Sequence, residues 1–192
     1  MDALAHAFEA FCAPTYHPLA DGIALEAMRL VARWLPQAFT HPTDIEARTH
    51  MLVAASMGAT AFQKGLGLVH ALSHPLGGVT GIHHGTANAI FLPYVMAYNR
   101  EAIEAKLGRL AAVLELPGAR AFDAVMSWML ELRRALGLPH TLADAIDFDE
   151  ALAARLAPMA LEDPSMGGNP RPATTADCEA LFLAAWRGDL DR

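Results

Sequence analysis

Histidines are concentrated in one stretch of the chain that contains no Asp, Glu, Lys or Arg. The stretch runs from Gly65 to Asn99 and holds four of the nine histidines: His70, His74, His83 and His84. Neutral imidazole is a common metal ligand, and burial in apolar surroundings favours the neutral form. Imidazoles grouped in an uncharged, glycine-punctuated segment therefore indicate a buried metal site.

A second pair of potential ligands lies at the start of the chain. Asp2 and His6 are four residues apart, as are His70 and His74, so each pair lies on one face of a predicted helix. One carboxylate with two or three imidazoles forms a mixed oxygen and nitrogen environment that suits Fe(II), Zn(II), Co or Ni. The spacing alone also fits a helix with one hydrogen-bonded core histidine, so these residues leave the exact ligand set open.

The elements that position these residues are predicted to be helices throughout. Apolar residues recur at helical spacing, and neither the strict alternation of a strand nor a regular repeat is present. The predicted fold class is therefore all-α, a multi-helix bundle. The predicted helices span about 2–12, 20–39, 44–64, 67–74, 84–98, 100–114, 119–136, 147–157 and 174–187.

Several helix ends carry specific expectations. Thr43 is predicted to cap the third helix, with Glu46 as its partner in a capping box. Pro36 is expected to kink or close the second helix. A loop at 75–83 is expected to follow the histidine helix, and Pro93 is expected to interrupt the helix after that loop.

Charge and composition narrow the classes of partner. The formal net charge is −7 and the pI is about 5.6, which argues against nucleic-acid binding because that function calls for a basic surface. Charged residues make up only 18% of the chain, against roughly 25% in an average soluble domain. We therefore expect part of the surface to be buried against another domain or subunit.

The sequence predicts a soluble, cytoplasmic protein that does not associate with a membrane. Prolines and glycines interrupt the segment 65–99 before it reaches the roughly 20 apolar residues of a membrane span. The start of the chain lacks the basic and apolar regions of a signal peptide. Two cysteines, Cys12 and Cys178, are too few for a disulfide scaffold and fit a reducing compartment.

Three short motifs stand out once the two histidine pairs are considered together. Residues 2–9 read DALAHAFE, residues 67–77 read GLVHALSHPLG, and residues 84–93 read HGTANAIFLP. In this combination they resemble the iron-containing (group III) alcohol dehydrogenase family. The resemblance continues through residues 169–172 and the last helix, so it covers essentially the whole chain.

The resemblance implies specific roles for the site residues. It implies a metal site formed by one aspartate and three histidines: Asp2, His6, His70 and His84. It places His74 on the substrate and nicotinamide side, as a catalytic residue that relays a proton rather than a ligand. His83 stands where the family commonly has another residue type. We assign the ligand to His84 because Gly85 follows it, and we expect His83 beside the site or in an exposed loop.

The implied function is that of an NAD(P)-dependent alcohol dehydrogenase that uses Fe(II) or Zn(II) to interconvert a small primary alcohol and its aldehyde. In that family an N-terminal α/β domain binds the dinucleotide through a glycine-rich turn. The segment 65–67 lacks the GxGxxG pattern and follows no predicted strand. Residues 1–192 are therefore expected to be a single helical metal-binding domain without the N-terminal dinucleotide domain, inactive alone and part of a homo-oligomer.

Two other functions remain open for the same residues. One is a non-catalytic metal-binding helical module that serves in interaction or dimerisation. The other is a metal-dependent hydrolase, which is disfavoured because the segment 65–99 has no acidic residue to act as a base. Lys64 is also near enough in sequence to approach a substrate carboxylate, although a solvated lysine at a helix end is the favoured interpretation.

Overall fold

The computed structural model describes residues 1–190. Within that range the chain forms nine α-helices, two short 3₁₀ helices and no strand, which confirms the predicted all-α fold class. The α-helices are α1 (Asp2–Cys12), α2 (Pro18–Thr40), α3 (Ile45–Ala61), α4 (Leu68–Thr80), α5 (His84–Tyr98), α6 (Arg100–Val113), α7 (Ala121–Ala135), α8 (Glu150–Leu161) and α9 (Thr175–Arg187). The 3₁₀ helices span Phe62–Lys64 and Pro164–Gly168.

Helix α1 lies in the core and carries two of the predicted ligands. Eight of its 11 residues are buried. It packs against α2, α3 and α5, and its C-terminal part lies near α6. A helix that is apolar over most of its circumference is stable only when neighbours cover it on several sides. The position of α1 is therefore fixed by several helices at once.

Helices α4 and α5 form the other half of the site and pack against each other. Helix α4 also packs against α8, and α5 against α9. Phe91 of α5 meets Phe182 of α9 edge to face, with ring centroids 5.5 Å apart, and both side chains are fully buried. Buried aromatic pairs of this kind dominate core energetics. They anchor the helix pair that presents the clustered histidines.

The prolines of these two helices do not end them, contrary to the prediction. Helix α4 continues through Pro75 to Thr80, so most of the predicted loop at 75–83 is helical, and α5 runs without interruption through Pro93. An interior proline costs roughly 3 kcal/mol. Both prolines are buried in the core, and this packing offsets the lost hydrogen bond. Helix α4 ends instead at Thr80, where Gly81 forms the C-cap with a left-handed φ of +73°.

The structure also corrects expectations about two other helix ends. Of the kink or closure expected at Pro36, the closure does not occur, because α2 continues beyond this residue to Thr40. Asp44, rather than Thr43, caps α3: its Oδ1 accepts the N–H of Ala47 at 3.0 Å, and its Oδ2 accepts from Gln37 at 2.6 Å. Aspartate is as good an N-cap as threonine. The additional bond to a side chain of α2 favours the later start.

Among residues 1–190 no single helix is long and apolar enough to cross a membrane. One pair of segments, Ile45–Lys64 and Leu68–Thr80, meets the length and composition requirement only when taken together, across a bend of 107°. The two segments are α3 with the 3₁₀ helix that follows it, and α4.

Candidate metal centre

The four residues implied as metal ligands come together in space. Each of Asp2, His6, His70 and His84 offers one ligand atom, and these atoms all lie within 4.8 Å of one another. In a tetrahedral site with bonds of about 2.0 to 2.2 Å, two ligand atoms lie roughly 3.3 to 3.6 Å apart. The most distant atoms of this set would therefore have to approach each other by no more than about 1.5 Å to surround an ion. Three imidazoles and a carboxylate form a donor set that both Zn(II) and Fe(II) accept. The residues therefore fit a metal ion.

Three helices meet at this cluster, each near its N-terminus. Asp2 and His6 occupy the first two turns of α1, His70 lies in the first turn of α4, and His84 is the first residue of α5. Gly58 lets α3 approach α1 beside the cluster. A Cβ there would lie 3.0 Å from a backbone oxygen of α1 and 3.4 Å from the Cβ of His6. The absence of a side chain at Gly58 is what allows the two helices to approach so closely.

The set of four candidate ligands, hereafter the ligand set, is buried on one side and open on the other. Side-chain exposure is 1% for His70 and 19% for His6, but 40% for His84 and 42% for Asp2. An ion in this set would be held from the core side by His70 and reached from solvent past His84 and Asp2. Access from solvent on this side suits a catalytic site, because a catalytic metal keeps a coordination position for water or substrate.

The surroundings favour the protonation states that bind a cation. Burial lowers the pKa of His6 and of His84, against the opposing attraction of Asp2, so both rings are neutral at neutral pH. Burial by itself would raise the pKa of Asp2. The hydrogen bond from Asn88 and the three nearby imidazoles together bring that pKa below its usual value. Metal binding therefore does not have to displace protons from these groups.

Asn88, one turn after His84 on α5, lies directly against the candidate ligands and is fully buried. Its amide Nδ2 is 2.7 Å from Oδ1 of Asp2, 2.9 Å from Nε2 of His84 and 3.3 Å from Nε2 of His70. Its Oδ1 is buried and has no hydrogen-bond partner within residues 1–190. Lone pairs from three separate helices thus converge on one small region, as a cation requires.

Glu9 contacts His70, the most buried of the four candidate ligands, although its membership of the first motif is the only role that the sequence analysis assigns to it. It is 5% exposed, and its Oε2 lies 2.6 Å from Nδ1 of His70. Glu9 follows His6 by three residues and Asp2 by seven, so all three share one face of α1. That spacing was the available signal.

His74 lies at the open side of the ligand set. Its side chain is 43% exposed, and its Nδ1 is 2.9 Å from Oδ2 of Asp163. The ring stacks on that of His84 with centroids 5.4 Å apart. Burial acts to raise the pKa of Asp163, but bonds from the Ser165 backbone and from His74 lower it overall. The sequence predicted His74 but not Asp163, because 89 residues separate the pair. His83, in contrast, is exposed.

Lys64 is buried, so its interpretation as a solvated helix-end lysine was wrong. Its Nζ donates to Oδ1 of Asp21 at 2.5 Å and to the carbonyl of Phe11 at 3.2 Å. Lys106 donates to the carbonyls of Phe11 and Ala13 at 2.6 and 2.7 Å. Burial and the neighbouring Lys64 lower the pKa of Lys106 to about 8. The two lysines therefore hold the C-terminal end of α1 and do not contact the ligand set.

Comparison with known proteins identifies relatives. The model of the C-terminal part of the Fe-containing alcohol dehydrogenase family matches residues 1–186. The chain is 40% identical over 192 residues to 4-hydroxybutyrate dehydrogenase of Cupriavidus necator. This alignment covers 95% of this chain and 49% of that protein. The chain is also 38% identical over 194 residues to NAD-dependent methanol dehydrogenase of Bacillus methanolicus. That alignment covers 96% of this chain and 50% of the relative.

A solved structure shows the same fold. The structure of a 1,3-propanediol oxidoreductase matches with a TM-score of 0.92 and 35% identity, over 97% of this chain and 50% of that chain. The chain thus spans about half the length of the relatives it matches.

Proposed function

Because the chain belongs to the iron-containing alcohol dehydrogenase family, we propose that it is the metal-binding catalytic part of an NAD(P)-dependent enzyme that interconverts a small primary alcohol and its aldehyde. The observation that carries the proposal is the convergence of one carboxylate and three imidazoles, from three helices, within 4.8 Å. The names of the matched relatives refer to 4-hydroxybutyrate, methanol and 1,3-propanediol. All three are small molecules that carry a hydroxyl group, which supports the substrate class.

The metal would be held by Asp2, His6, His70 and His84, with His70 on the core side. Fe(II) or Zn(II) bound there would act as a Lewis acid toward the oxygen of an alcohol or aldehyde, and the nicotinamide would carry the hydride. The partial exposure of Asp2 and His84 leaves a path by which a substrate can reach this position.

His74 is the residue that we propose to move a proton. The carboxylate of Asp163 accepts the hydrogen of Nδ1, so Nε2 keeps a lone pair. The stacking on His84 places this ring beside the ligand set on its exposed side. His74 can therefore take up the hydroxyl proton of an alcohol at Nε2 and return it when the aldehyde is reduced.

We also propose that residues 1–192 form one helical domain and that a separate α/β domain binds NAD(P). The relatives are about twice as long as this chain. Several large apolar side chains are exposed, which supports a surface covered by that domain or by a second copy: Tyr16, Leu19, Ile45, Leu52 and Val53. The inactivity of the chain alone, the homo-oligomer and the cytoplasmic location remain predictions.

Elemental analysis of protein purified without chelator tests the metal site. We expect near-stoichiometric Fe or Zn in the wild-type chain and loss of the metal in His70→Ala. His41→Ala is the matched control, because His41 is exposed and far from the cluster in sequence. Equal metal content in the wild type and His70→Ala would contradict the proposed site.

A fusion to the dinucleotide-binding half of a relative tests the reaction. We expect the fusion to reduce NAD⁺ with a small primary alcohol, and the 192-residue chain alone to show no turnover. A folded, metal-loaded fusion without hydride transfer would instead favour the non-catalytic metal-binding module. Robust NAD-dependent activity of the chain alone would contradict the need for a second domain.

A further inference from the structure

The start of α4 is capped by side chains from distant parts of the chain. The first N–H groups of a helix need acceptors, and Gly67, the N-cap residue, has no side chain to offer one. The N–H of Leu68 donates to Oδ1 of Asn169 at 3.2 Å, and the N–H of Val69 donates to Oε1 of Glu9 at 2.6 Å. Glu9 thus stands where the helix dipole stabilises a negative charge.

The second oxygen of the same carboxylate contacts a proposed metal ligand. Oε2 of Glu9 is 2.6 Å from Nδ1 of His70, and the two side chains are 5% and 1% exposed. An ionised carboxylate only accepts hydrogen bonds, so Nδ1 carries a hydrogen. The lone pair is then left on Nε2, the nitrogen that lies 3.3 Å from the Asn88 amide and faces the ligand set.

The other two imidazoles of the set have no such partner. Within residues 1–190 the only carboxylate paired with either ring is Asp2, itself a proposed ligand, at 3.8 Å from Nδ1 of His6 and 3.5 Å from Nε2 of His84. Among residues 1–190, His70 is therefore the imidazole of the set that pairs with a carboxylate from outside the set.

Gly67 provides the space that this arrangement needs. A Cβ at Gly67 would lie 2.9 Å from Oδ1 of Asn169 and 3.0 Å from Oε1 of Glu9. Any larger residue would push both caps away from the start of α4. The absence of a side chain at the N-cap and the presence of Glu9 are thus parts of one arrangement.

From these contacts we propose that Glu9 is a positioning residue for the metal, which fixes the tautomer and direction of His70 and ties them to the start of α4. The inference rests on the metal site proposed above. When a metal-ligating histidine donates its second N–H to a carboxylate, removal of that carboxylate typically lowers the metal affinity of the site by about 10- to 100-fold. We expect a loss in this range.

The variant Glu9→Gln tests the proposal because it preserves the shape of the side chain. Glutamine still accepts the N–H of Val69 through its oxygen but presents its NH₂ group to His70. Nδ1 must then accept, and the hydrogen moves to Nε2, the nitrogen that the metal requires. In the 192-residue chain we expect the Kd for Zn²⁺ to rise at least about 10-fold. Nitrogen-15 NMR of the metal-free protein should show His70 changing from the Nδ1–H to the Nε2–H tautomer.

Two further variants separate this role from general effects. Glu104→Gln changes an exposed glutamate of α6 and should alter neither the affinity nor the tautomer. Asn169→Ala removes the other cap of α4 without touching His70. It should lower the thermal midpoint but weaken Zn²⁺ binding far less than Glu9→Gln does.

The outcomes distinguish the possible failures. Equal losses of affinity in Glu9→Gln and Asn169→Ala would mean that a weakened start of α4, and not the contact with His70, lowers the affinity, which overturns the proposal. If Glu9→Gln does not fold, nitrogen-15 NMR of the metal-free wild type tests the proposal instead. A hydrogen on Nε2 of His70 would overturn the proposal, and a hydrogen on Nδ1 would support it. Tight binding by wild type and Glu9→Gln alike refutes this inference alone. If the wild-type chain binds no Zn²⁺, the proposed function fails and the inference fails with it.

Discussion

Replacing Gly168 by alanine should destabilise the fold severely, because two backbone segments cross at this residue. A Cβ on Gly168 would lie 1.9 Å from the carbonyl oxygen of Leu66 and 3.0 Å from its carbonyl carbon and its nitrogen. A carbon and a carbonyl oxygen ordinarily approach to about 3.3 Å, so the segments would have to separate by about 1.4 Å. The backbone of residue 168 fixes the position of the Cβ, and the Leu66 oxygen is itself a backbone atom. No change of rotamer can therefore relieve the contact.

The magnitude follows from what the separation breaks. Overpacking of this kind costs about 1 to 3 kcal/mol, and an overlap this large belongs at the upper end. The next residue, Asn169, accepts from Leu68 and exchanges amide hydrogen bonds with Asn99, each worth about 1 kcal/mol. Partial loss of these bonds brings the total to about 3 to 5 kcal/mol. For a chain of this size that corresponds to a fall in Tm of about 6 to 20 °C.

The neighbouring glycine offers a matched control. A Cβ on Gly167 would meet nothing within 4 Å, so Gly167→Ala should change the free energy of unfolding by less than about 0.5 kcal/mol. Thermal and urea unfolding, followed by circular dichroism on both variants, measure the difference. If Gly168→Ala unfolds at the same midpoint as Gly167→Ala, the close crossing at Leu66 is wrong.

Two further predictions follow from the pKa shifts. Burial raises the pKa of Cys12 to about 12 and of Cys178 to about 11. Neither thiol should therefore react with Ellman's reagent in the folded protein at mildly alkaline pH, and both should react after unfolding. Rapid reaction of either thiol in the folded protein would contradict its burial. The folded pKa values of His6 and His84 lie below the usual value of about 6.5, so the unfolded chain binds protons first and the metal-free protein should lose stability as pH falls through about 6.5. Urea unfolding of the metal-free protein at pH values above and below this range measures the change, and equal stability at both would contradict the placement of these rings.

The parts of the site that depend on local spacing were predictable from the sequence. The pairs Asp2–His6 and His70–His74 lie one helical turn apart, so the sequence alone places each pair on one face. The structure brings the four implied ligands together, although their role as ligands stays a prediction. The same reasoning failed at Pro75, because helix propensity is local whereas the burial that outweighs it is tertiary.

The groups that orient the site were not predictable in the same way. Glu9 acts on residues 60 and 61 positions later, and Asp163 pairs with a histidine 89 positions earlier. Lys64 was misjudged for the same reason, since its carboxylate partner, Asp21, lies 43 residues away. A buried charge is recognised only when its partner is known, and no sequence pattern identifies partners so far apart.

The placement of groups along α1 means that the site forms as a unit. Asp2, His6 and Glu9 project from one face of one helix, and Lys64 and Lys106 hold its other end through backbone carbonyls. A displacement of α1 along its axis would move all three site groups together away from α4 and α5. A metal ion bound by the proposed ligands would bridge α1 to those two helices. Because such an ion binds the folded chain and not the unfolded one, its binding energy would add to the stability of the fold.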